Sequence, residues 1–390
     1  MIRFLVIISI VFSIYSCSSS SDRSQSIDTL AIDSILEPQP IKVIYKDTLL
    51  DNTARFIAGL PQLDSNSLTS LQTDKYWTDF NTSMDNNWEK MLTQRMKPMD
   101  DWQNSTLSLL TKDSLKLFYP FSGPDFLHAE IFYPHAPEYI MAALEPVVEI
   151  PNLEKMSEKK RDMFLDSLGR SLRDLFGKSY FITNHMIKDF KSINGVLPIL
   201  YFFIERSGGE MISQDFIGIA QGGEEVVIPY SSYKGYNTHG VKIVFRNRDT
   251  QVMKTLYYFS TDISNKGLTK RPELVAFIAN SSPYNTFVKS ASYLMHHPDF
   301  TKIRDILLQQ SASIFQDDTG ILYKDLKKTK AFDGYFYGEY VKPVRDFPWL
   351  EKQDDLDSVF KASKEPLPFS LGYHWYTRKQ HYMLMVRKVE

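Results

Sequence analysis

The segment QDFIGIAQGGEEVVIPY, residues Gln214–Tyr230, decides the predicted fold. Two apolar runs meet at Gly222-Gly223, and glycines adopt the positive φ angles that tight hairpins need. Two further strand patterns follow, GVKIVFRN and VMKTLYYFST, joined by a short polar connection. The pattern predicts four antiparallel strands in a meander within residues 211–262.

Segments on both sides of this region predict helices and a few more strands. Apolar residues at three- and four-residue steps predict helices from Trp77 to Arg95 and from about Ser157 onward. Further predicted elements are a buried helix in NGVLPILYFFIERSGG, helices at Pro283–His296 and Thr301–Phe315, strands in LKLFYPF and EYIMAALEPV, and a final hairpin in SLGYHWYTRKQHYMLMVRK. This order does not alternate regularly enough for a doubly wound sheet, so we predict an α+β fold in which an antiparallel sheet packs with helices.

The composition is that of a large globular protein. The chain has 390 residues, of which 43% are hydrophobic and 14% aromatic, so it can bury a large core. We predict a body at 54–390, either as one large domain or as two subdomains near 54–207 and 208–390. With 45 basic and 47 acidic residues and a net charge of -2, nucleic acid is not an expected partner.

The N-terminus predicts export. Arg3 precedes FLVIISIVFSIY, an apolar run of twelve residues that is too short to remain as a membrane-spanning helix. Residues 1–16 are therefore predicted to be a signal peptide. The small residue Ser16 directly precedes Cys17, the only cysteine of the chain, and this arrangement resembles the lipobox of bacterial lipoproteins.

The lipobox resemblance implies that Cys17 carries acyl chains, palmitate among them, and that these chains anchor the protein to a membrane. The alternative is an ordinary secretory signal with an incidental cysteine. Lipidation of Cys17 would leave the body without disulfides, thiolate metal sites or a cysteine nucleophile. Surface-exposed lipoproteins of Bacteroidota resemble one another in an acidic cluster after the cysteine. This chain has SSSSD there, which favours an outer-membrane protein that faces the periplasm.

Residues 17–53 are predicted to be a lipidated flexible tether, because they are rich in Ser and Asp and show no sustained helical or alternating pattern. A flexible coil of this length would reach roughly 30–35 Å. Three tripeptides, at Asp28, Asp33 and Asp47, resemble the acceptor of Bacteroidota O-glycosylation. Chance occurrence is the alternative, because similar tripeptides recur in the body.

The best candidates for a functional site lie in and after FYPFSGPDFLHAEIFYPH, residues 118–135. Ser122, Asp125 and His128 could converge with Glu145, which ends the second predicted strand. Two carboxylates about 5 to 9 Å apart can act as acid and base, or as acid and nucleophile, on a glycosidic bond. The same residues also form a good turn, in which Asp125 caps a short helix that begins near Phe126. The alternative to a catalytic role is that these residues only stabilise the turn and the start of the helix.

Several enzyme signatures are missing from the chain: G-x-S-x-G, G-x-x-x-x-G-K-[ST], G-x-G-x-x-G and H-E-x-x-H. A standard serine hydrolase, nucleotide enzyme or zincin is therefore not expected, and no cofactor is predicted. His128 and His135 are not expected to share a metal, because prolines interrupt the segment between and beyond them. His296 and His297 are predicted at a helix C-terminus, where imidazole meets the negative end of the helix dipole. No metal site is predicted.

Two other patterns have a simple structural interpretation. Asp317 and Asp318 lie in QDDTG, which lacks the alternating oxygen ligands of a calcium loop and is interpreted as a turn after a helix. The clusters DGYFYGEY and GYHWYTRKQHY could stack on sugar rings, but cross-strand aromatic packing explains them as well.

Three longer segments resemble an uncharacterised family of Bacteroidota lipoproteins. They are YPFSGPDFLHAEIFYPHAPEYIMAALEPV, PYNTFVKSASYLMHHPDFTKIRDILLQQSASIFQDDTGI and LPFSLGYHW. The resemblance covers most of the body and implies an envelope location and a single integrated domain, but it implies no reaction or catalytic residue. The sequence favours a lipid-anchored binding or scaffold protein of the periplasm with a glycan or protein partner. The alternative is an envelope glycan or peptide hydrolase that uses Asp125 and Glu145.

Overall fold

A mixed sheet of ten strands forms the centre of the computed structural model, which describes residues 45–178, 180, 191–343, 347, 350–374 and 379–389. The strands are β1 (Lys116–Pro120), β2 (Glu138–Ala143), β3 (Gly209–Ile219), β4 (Glu225–Val227), β5 (His239–Asn247), β6 (Met253–Ser260), β7 (Tyr284–Val288), β8 (Ser311–Gln316), β9 (Phe332–Gly338) and β10 (His381–Arg387). Their order across the sheet is β4-β3-β5-β6-β2-β1-β7-β8-β10-β9. Residues 1–16, Cys17 and the predicted tether as far as residue 44 lie outside the described residues.

Five adjacent strands at the middle of the sheet, β6-β2-β1-β7-β8, run parallel. Parallel strands need crossover connections, which here are made through helices. The sequence analysis did not predict these parallel pairings. Because all five strands point the same way, their carboxyl ends lie along one edge of the sheet.

Antiparallel strands flank the parallel centre on both sides, so the α+β prediction is confirmed. Strands β3, β4, β5 and β6 pair antiparallel within residues 209–260. The predicted hairpin at Gly222-Gly223 joins β3 to β4, and Gly223 has a φ of 90°. The order is not that of a simple meander, however, because β3 pairs directly with β5 and the three-residue β4 lies outside it as an edge strand.

Twelve helices are present in the part of the chain that is described. They are α1 (Thr48–Ile57), α2 (Lys75–Met91), α3 (Lys97–Trp102), α4 (Ser108–Leu110), α5 (Phe126–Phe132), α6 (Glu158–Lys178), α7 (Leu197–Arg206), α8 (Asn265–Lys270), α9 (Pro272–Asn280), α10 (Thr301–Gln310), α11 (Tyr323–Thr329) and α12 (Asp354–Ser363). Two π-helical turns, Leu92–Met96 and Gln103–Leu107, connect α2, α3 and α4 into one continuous rod. None of the helices described is long and apolar enough to cross a membrane.

The helices cover both faces of the sheet, and each face has its own apolar core. On one face α1, α2, α5, α6 and α7 pack through residues such as Trp88, Phe132 and Phe202. On the other face α8 to α12 pack through residues such as Leu274 and Phe360. The connections after the neighbouring strands β1 and β7 therefore leave the sheet on opposite sides, since α5 follows β1 on one face whereas α10 follows β7 on the other.

Three predicted elements differ from the structure. Residues 283–296 were predicted as a helix but contain β7, and the predicted helix 301–315 ends at Gln310 and continues as β8. All five residues of β7 and most of those of β8 are buried, so neither strand shows the alternation by which a half-buried strand is recognised. The predicted final hairpin is also wrong, because β10 pairs with β8 and β9, which both precede it by many residues.

The domain boundaries differ in two respects. Helix α1 begins at Thr48 and buries Asp51 and Phe56, so the folded body begins before the predicted end of the tether at residue 53. The sheet also crosses the proposed division between 54–207 and 208–390, because β2 of the first half pairs with β6 of the second. The described body accordingly belongs to one compact unit, Ile44–Glu390.

Candidate functional site

A cavity of about 590 Å³ opens at the carboxyl ends of β1, β2, β6 and β7. In open sheets with parallel strands, ligands bind in the crevice that forms where neighbouring connections leave on opposite faces. The connections after β1 and β7 do this. The lining residues used below are Tyr119, Phe121, Ser122, Gly123, Asp125, Glu145, Thr261, Asp262, Lys289, Ser290, Ser292, Phe300 and Tyr373.

The turn between β1 and α5 supplies Ser122 and Asp125 to this cavity. Phe121 and Gly123 both have positive φ angles, 58° and 54°, and these bend the chain sharply between strand and helix. Helix α5 begins at Phe126 as predicted, but the side chain of Asp125 makes no capping hydrogen bond. The prediction that Asp125 caps this helix is therefore wrong, and its carboxylate is directed to other partners.

Asp125 is the centre of a buried charge network. Its Oδ2 accepts a hydrogen bond from Tyr119 Oη at 2.9 Å and lies 2.6 Å from Lys289 Nζ. Its Oδ1 lies 2.7 Å from His128 Nδ1. Asp125, His128 and Lys289 are each less than 5% exposed. Buried charges must be paired to be tolerated, so these side chains hold one another in place.

The ionisation of this network follows from its contacts. Burial would raise the pKa of Asp125, but contact with His128 and Lys289 outweighs burial and lowers the pKa to about 2. Burial lowers the pKa of His128 and of Lys289, and Asp125 opposes both shifts. Asp125 is therefore an ionised carboxylate at neutral pH, whereas His128 is neutral.

Glu145 follows β2 and lies in the same cavity wall. Tyr258 Oη donates to Glu145 Oε2 at 3.1 Å. Burial raises the pKa of Glu145, against the opposing effect of hydrogen bonds from the backbone and Tyr258. Gly123 faces this carboxylate, since a Cβ added to Gly123 would lie 3.8 Å from Glu145 Oε1. Two carboxyl groups with opposite pKa shifts thus line one cavity.

The structure brings together three of the four predicted site residues. Ser122, Asp125 and Glu145 line the cavity, whereas His128 lies behind Asp125 and does not line it. Both oxygens of Asp125 are already occupied, which leaves Glu145 as the carboxyl group with free acceptor or donor capacity. The predicted carboxylate pair is therefore unequal, with Asp125 organising the wall and Glu145 presented to the cavity.

Lys289, Ser290 and the residues after them were missed by the sequence analysis. They follow β7, which was predicted as a helix. Ser290, Ser292 and Tyr293 have φ angles of 52°, 51° and 55°. Together with Phe121 they are half of the eight non-glycine residues with positive φ in the described chain. Such strained positions concentrate at ligand and active sites, and here they concentrate in two loops around one cavity.

Three hydroxyl groups in the cavity wall lack a protein partner among the described residues. They are Ser122 Oγ, Thr261 Oγ1 and Ser290 Oγ, all buried. Buried polar atoms are normally hydrogen-bonded to protein, water or ligand. Each of these hydroxyls belongs to a residue that lines the cavity, and each lacks the partner that a buried hydroxyl normally has.

Asp317 and Asp318 begin a turn, as predicted, but this turn follows strand β8 and not a helix, and the two residues are 4% and 1% exposed. Asp317 accepts hydrogen bonds from the backbone of Ser290 at 2.9 Å and of Thr319 at 3.0 Å. Asp318 accepts from Tyr293 Oη at 3.0 Å. The segment is therefore part of the wall behind the cavity loop.

Asp318 also meets two buried histidines, His374 and His381. Its Oδ1 lies 3.1 Å from His381 Nε2 and 3.9 Å from His374 Nε2. Burial and the neighbouring His381 lower the pKa of His374 to about 4. Burial would raise the pKa of Asp318, but His381 outweighs it and the pKa is lowered. The carboxylate of Asp318, the neutral imidazole of His374 and the imidazole of His381 are donor groups that could hold a metal ion.

The other histidines have separate surroundings. His128 is buried beside Asp125, whereas the exposed His135 lies 3.9 Å from Asp113, so the two histidines share no site. No helix ends at His296 and His297, contrary to the prediction, because only the short 3-10 turn Leu294–His296 precedes Pro298. His297 instead accepts a hydrogen bond from the backbone of Asp299 at 3.2 Å.

The two aromatic clusters have different roles. In DGYFYGEY, Tyr337 packs edge-on against Trp102 and Tyr340 stacks on Phe360. These contacts agree with the interpretation that the cluster packs inside the protein. In the second cluster Tyr373 lines the cavity and its hydroxyl lies 3.0 Å from Ser292 Oγ. One aromatic ring of this cluster is thus placed where it can contact a ligand.

Neither a scan against protein-family models nor a search of curated proteins finds a match for this chain. Functional interpretation therefore depends on the geometry of the cavity and its walls. That geometry combines aromatic faces, unpartnered hydroxyls and two unequal carboxyl groups.

Proposed function

We propose that this chain is a lipid-anchored cell-envelope protein that binds a glycan or a short peptide in the cavity at the carboxyl ends of β1, β2, β6 and β7. The observation that carries the proposal is that three lining residues, Ser122, Thr261 and Ser290, have buried hydroxyls without a partner among the described residues. A few polar groups among apolar faces are the usual means of orienting a small polar ligand.

Charge in the cavity favours a neutral or cationic ligand. Lys289 is the one lysine of the described wall, and its ammonium group is paired with Asp125 at 2.6 Å. Among the described lining residues, Glu145 and Asp262 add carboxyl groups, and there is no further cation. A phosphate-rich ligand would meet net negative charge. Sugar rings and the amino terminus of a peptide fit this electrostatic character better.

Aromatic side chains favour a sugar among these ligands. Phe121 packs against Phe300 with ring centroids 5.7 Å apart, and Tyr373 lies on another part of the wall. Flat apolar faces combined with hydroxyl groups suit the two kinds of surface on a pyranose ring. We therefore place uncharged envelope glycans first among the ligands to be tested, and short peptides second.

Tyr373→Ala is expected to weaken glycan binding about tenfold, because it removes a ring face and a hydroxyl from the wall. Isothermal titration of the purified full chain with soluble envelope glycan fragments and short peptides measures this loss. Tyr335→Ala is the matched control, since Tyr335 is 38% exposed on β9 and does not line the cavity. The binding proposal is rejected if no glycan or peptide of the panel binds, or if both variants weaken binding equally.

The anchor is part of the proposal and is supported by the sequence. Replacing Cys17 with alanine is expected to remove the acyl chains and to move most of the protein from the membrane fraction to the soluble fraction. Fractionation of cells that express the native and the substituted chain measures this redistribution. Ser18→Ala is the control, since it preserves the cysteine. Unchanged membrane association of the Cys17 variant would exclude the lipid anchor.

Hydrolysis of the bound ligand is a second candidate function, favoured by one specific observation. Asp125 is held ionised while burial raises the pKa of Glu145, and a pair of carboxyl groups driven apart in pKa is typical of acid and base assignments. Glu145 would donate a proton to the leaving group of a glycosidic or peptide bond, a water molecule would attack the carbon from which that group leaves, and the proton that the water releases would return to Glu145. Asp125, whose oxygens contact Tyr119, Lys289 and His128, would organise the wall.

A further inference from the structure

Asp318, His374 and His381 form a buried cluster of nitrogen and oxygen donors outside the glycan-binding cavity. Asp318 follows β8, His374 ends the 3-10 turn Gly372–His374, and His381 begins β10. One donor atom from each residue lies within 4.8 Å of the other two. The side chains of Asp318 and His381 are 1% and 0% exposed, and that of His374 is 8% exposed.

Several atoms of this cluster lack the hydrogen bonds that buried polar atoms normally make. Asp318 Oδ1 and both ring nitrogens of His381 have no hydrogen-bond partner among the described residues. Asp318 Oδ1 and His381 Nε2 lie 3.1 Å apart, yet neither atom has an aligned hydrogen-bond partner among the described residues. Unpaired buried polar groups are rare and require a missing partner. A cation that accepts both lone pairs would supply that partner.

We propose that Asp318, His374 and His381 bind one divalent transition-metal ion, with zinc as the best-matched probe. Zinc bonds of about 2.0–2.2 Å to nitrogen and oxygen place neighbouring donor atoms roughly 3.0–3.5 Å apart. The 3.1 Å separation of Asp318 Oδ1 and His381 Nε2 meets this requirement, and the 3.9 Å separation from His374 Nε2 is closed by a small movement of the ring.

The donor set selects the class of metal. Two imidazoles and one carboxylate suit zinc and other first-row transition ions, whereas calcium and magnesium prefer oxygen donors only. Tyr293 Oη donates to Asp318 Oδ2 at 3.0 Å and so leaves Oδ1 directed at the histidines, as outer hydrogen bonds do in metal sites. The rings of Tyr340 and Phe360 pack on the His381 ring, with centroid distances of 4.9 Å and 5.6 Å. These contacts fix the orientation of His381.

Metal binding would connect three separate parts of the chain. The three ligands belong to the end of β8, the turn Gly372–His374 and the start of β10. The ion would therefore fix the turn that carries Tyr373, which lines the cavity. The inference does not depend on glycan binding, because its evidence is the donor geometry and the unpaired buried atoms alone.

The first test is zinc binding by the purified full chain, expressed without a histidine tag and stripped with a chelator. Zinc at a hundredfold excess over its dissociation constant is expected to raise the melting temperature by roughly 3–4 °C. Elemental analysis after gel filtration should recover a single zinc ion per chain. His381→Gln and Asp318→Asn are expected to abolish both effects, whereas His135→Gln, at an exposed histidine, should leave both unchanged.

A second measurement does not require a variant that folds. Cobalt added to the stripped native chain should produce the visible absorption bands of a coordinated ion with nitrogen ligands, and zinc should displace it. The proposal is overturned if the stripped chain shows neither cobalt bands nor zinc retention. It is equally overturned if His381→Gln folds and retains zinc as the native chain does.

Discussion

Replacing Asp125 with asparagine is expected to lower the free energy of unfolding by about 3–5 kcal/mol. The change leaves the ammonium group of Lys289, which is 4% exposed, without the carboxylate that lies 2.6 Å away. An unpaired buried charge costs much more than the pair contributes. Equilibrium unfolding in urea measures the difference, which is a large part of the stability of an ordinary domain.

Two controls separate the lost charge pair from a general packing defect. Asp101→Asn breaks an exposed ion pair in which Asp101 Oδ1 lies 3.0 Å from Lys97 Nζ. This change is expected to alter the free energy of unfolding by less than about 0.5 kcal/mol. The double variant Asp125→Asn with Lys289→Met removes both charges and should recover part of the loss. A loss below about 1 kcal/mol for Asp125→Asn alone would show that the network is not what stabilises this wall.

The same carboxylate predicts a pH dependence with a definite sign. The pKa of Asp125 is about 2 in the folded chain, and an unfolded aspartate has a pKa of about 3.9. A depressed folded pKa contributes stability that is fully present above about pH 4 and is lost as the pH falls towards 2. The stability difference between the native chain and Asp125→Asn should therefore shrink by about 2 kcal/mol over this range.

Glu145→Gln is expected to reduce turnover of a hydrolysed ligand by about 10²- to 10⁴-fold while leaving its affinity within about threefold. Glutamine keeps the size and the hydrogen bond to Tyr258 but has no acidic proton. Because burial raises the pKa of Glu145, native activity should fall as the pH rises through that pKa. Product release from glycan and peptide panels, followed across pH, measures both effects.

The control for this loss is Glu339→Gln, which changes an exposed glutamate that is paired with Lys379 and is not among the residues that line the cavity. It should retain full turnover. Hydrolysis is excluded if the native chain releases no product from any ligand that it binds, and the binding function then stands alone. Turnover by Glu145→Gln within threefold of native would exclude Glu145 as the proton donor.

Much of the fold follows from sequence pattern, and the failures have one physical cause. The apolar runs and turn residues of β3 to β6 and the apolar run of α7 from Leu197 to Arg206 identify these elements correctly. Strands β7 (YNTFV) and β8 (SASIFQ) are buried on both faces and include buried polar residues, so they show neither the alternation nor the continuous apolar run by which a strand is recognised. Once β7 was predicted as a helix, the parallel centre of the sheet could not be inferred.

The same error concealed half of the candidate site. Ser122, Asp125 and Glu145 were found because turn residues and a carboxylate followed recognisable strands. Lys289 and Asp317 also follow strands directly, and recognising β7 and β8 would have placed them at the same edge of the sheet. No signal of spacing could have joined Asp318 to His374 and His381, since these residues meet only through the pairing of β8 with β10.

The short edge strand β4 has a consequence for how the protein would behave when crowded. Lipid anchoring would hold many copies at high density on one membrane surface, where exposed sheet edges can recruit strands from neighbouring molecules. β4 offers only Glu225–Val227 for such pairing, and Lys242 forms an ion pair with Glu225 beside it. A brief, charged edge of this kind disfavours strand addition on the β4 side of the sheet, whereas β9 forms the opposite edge.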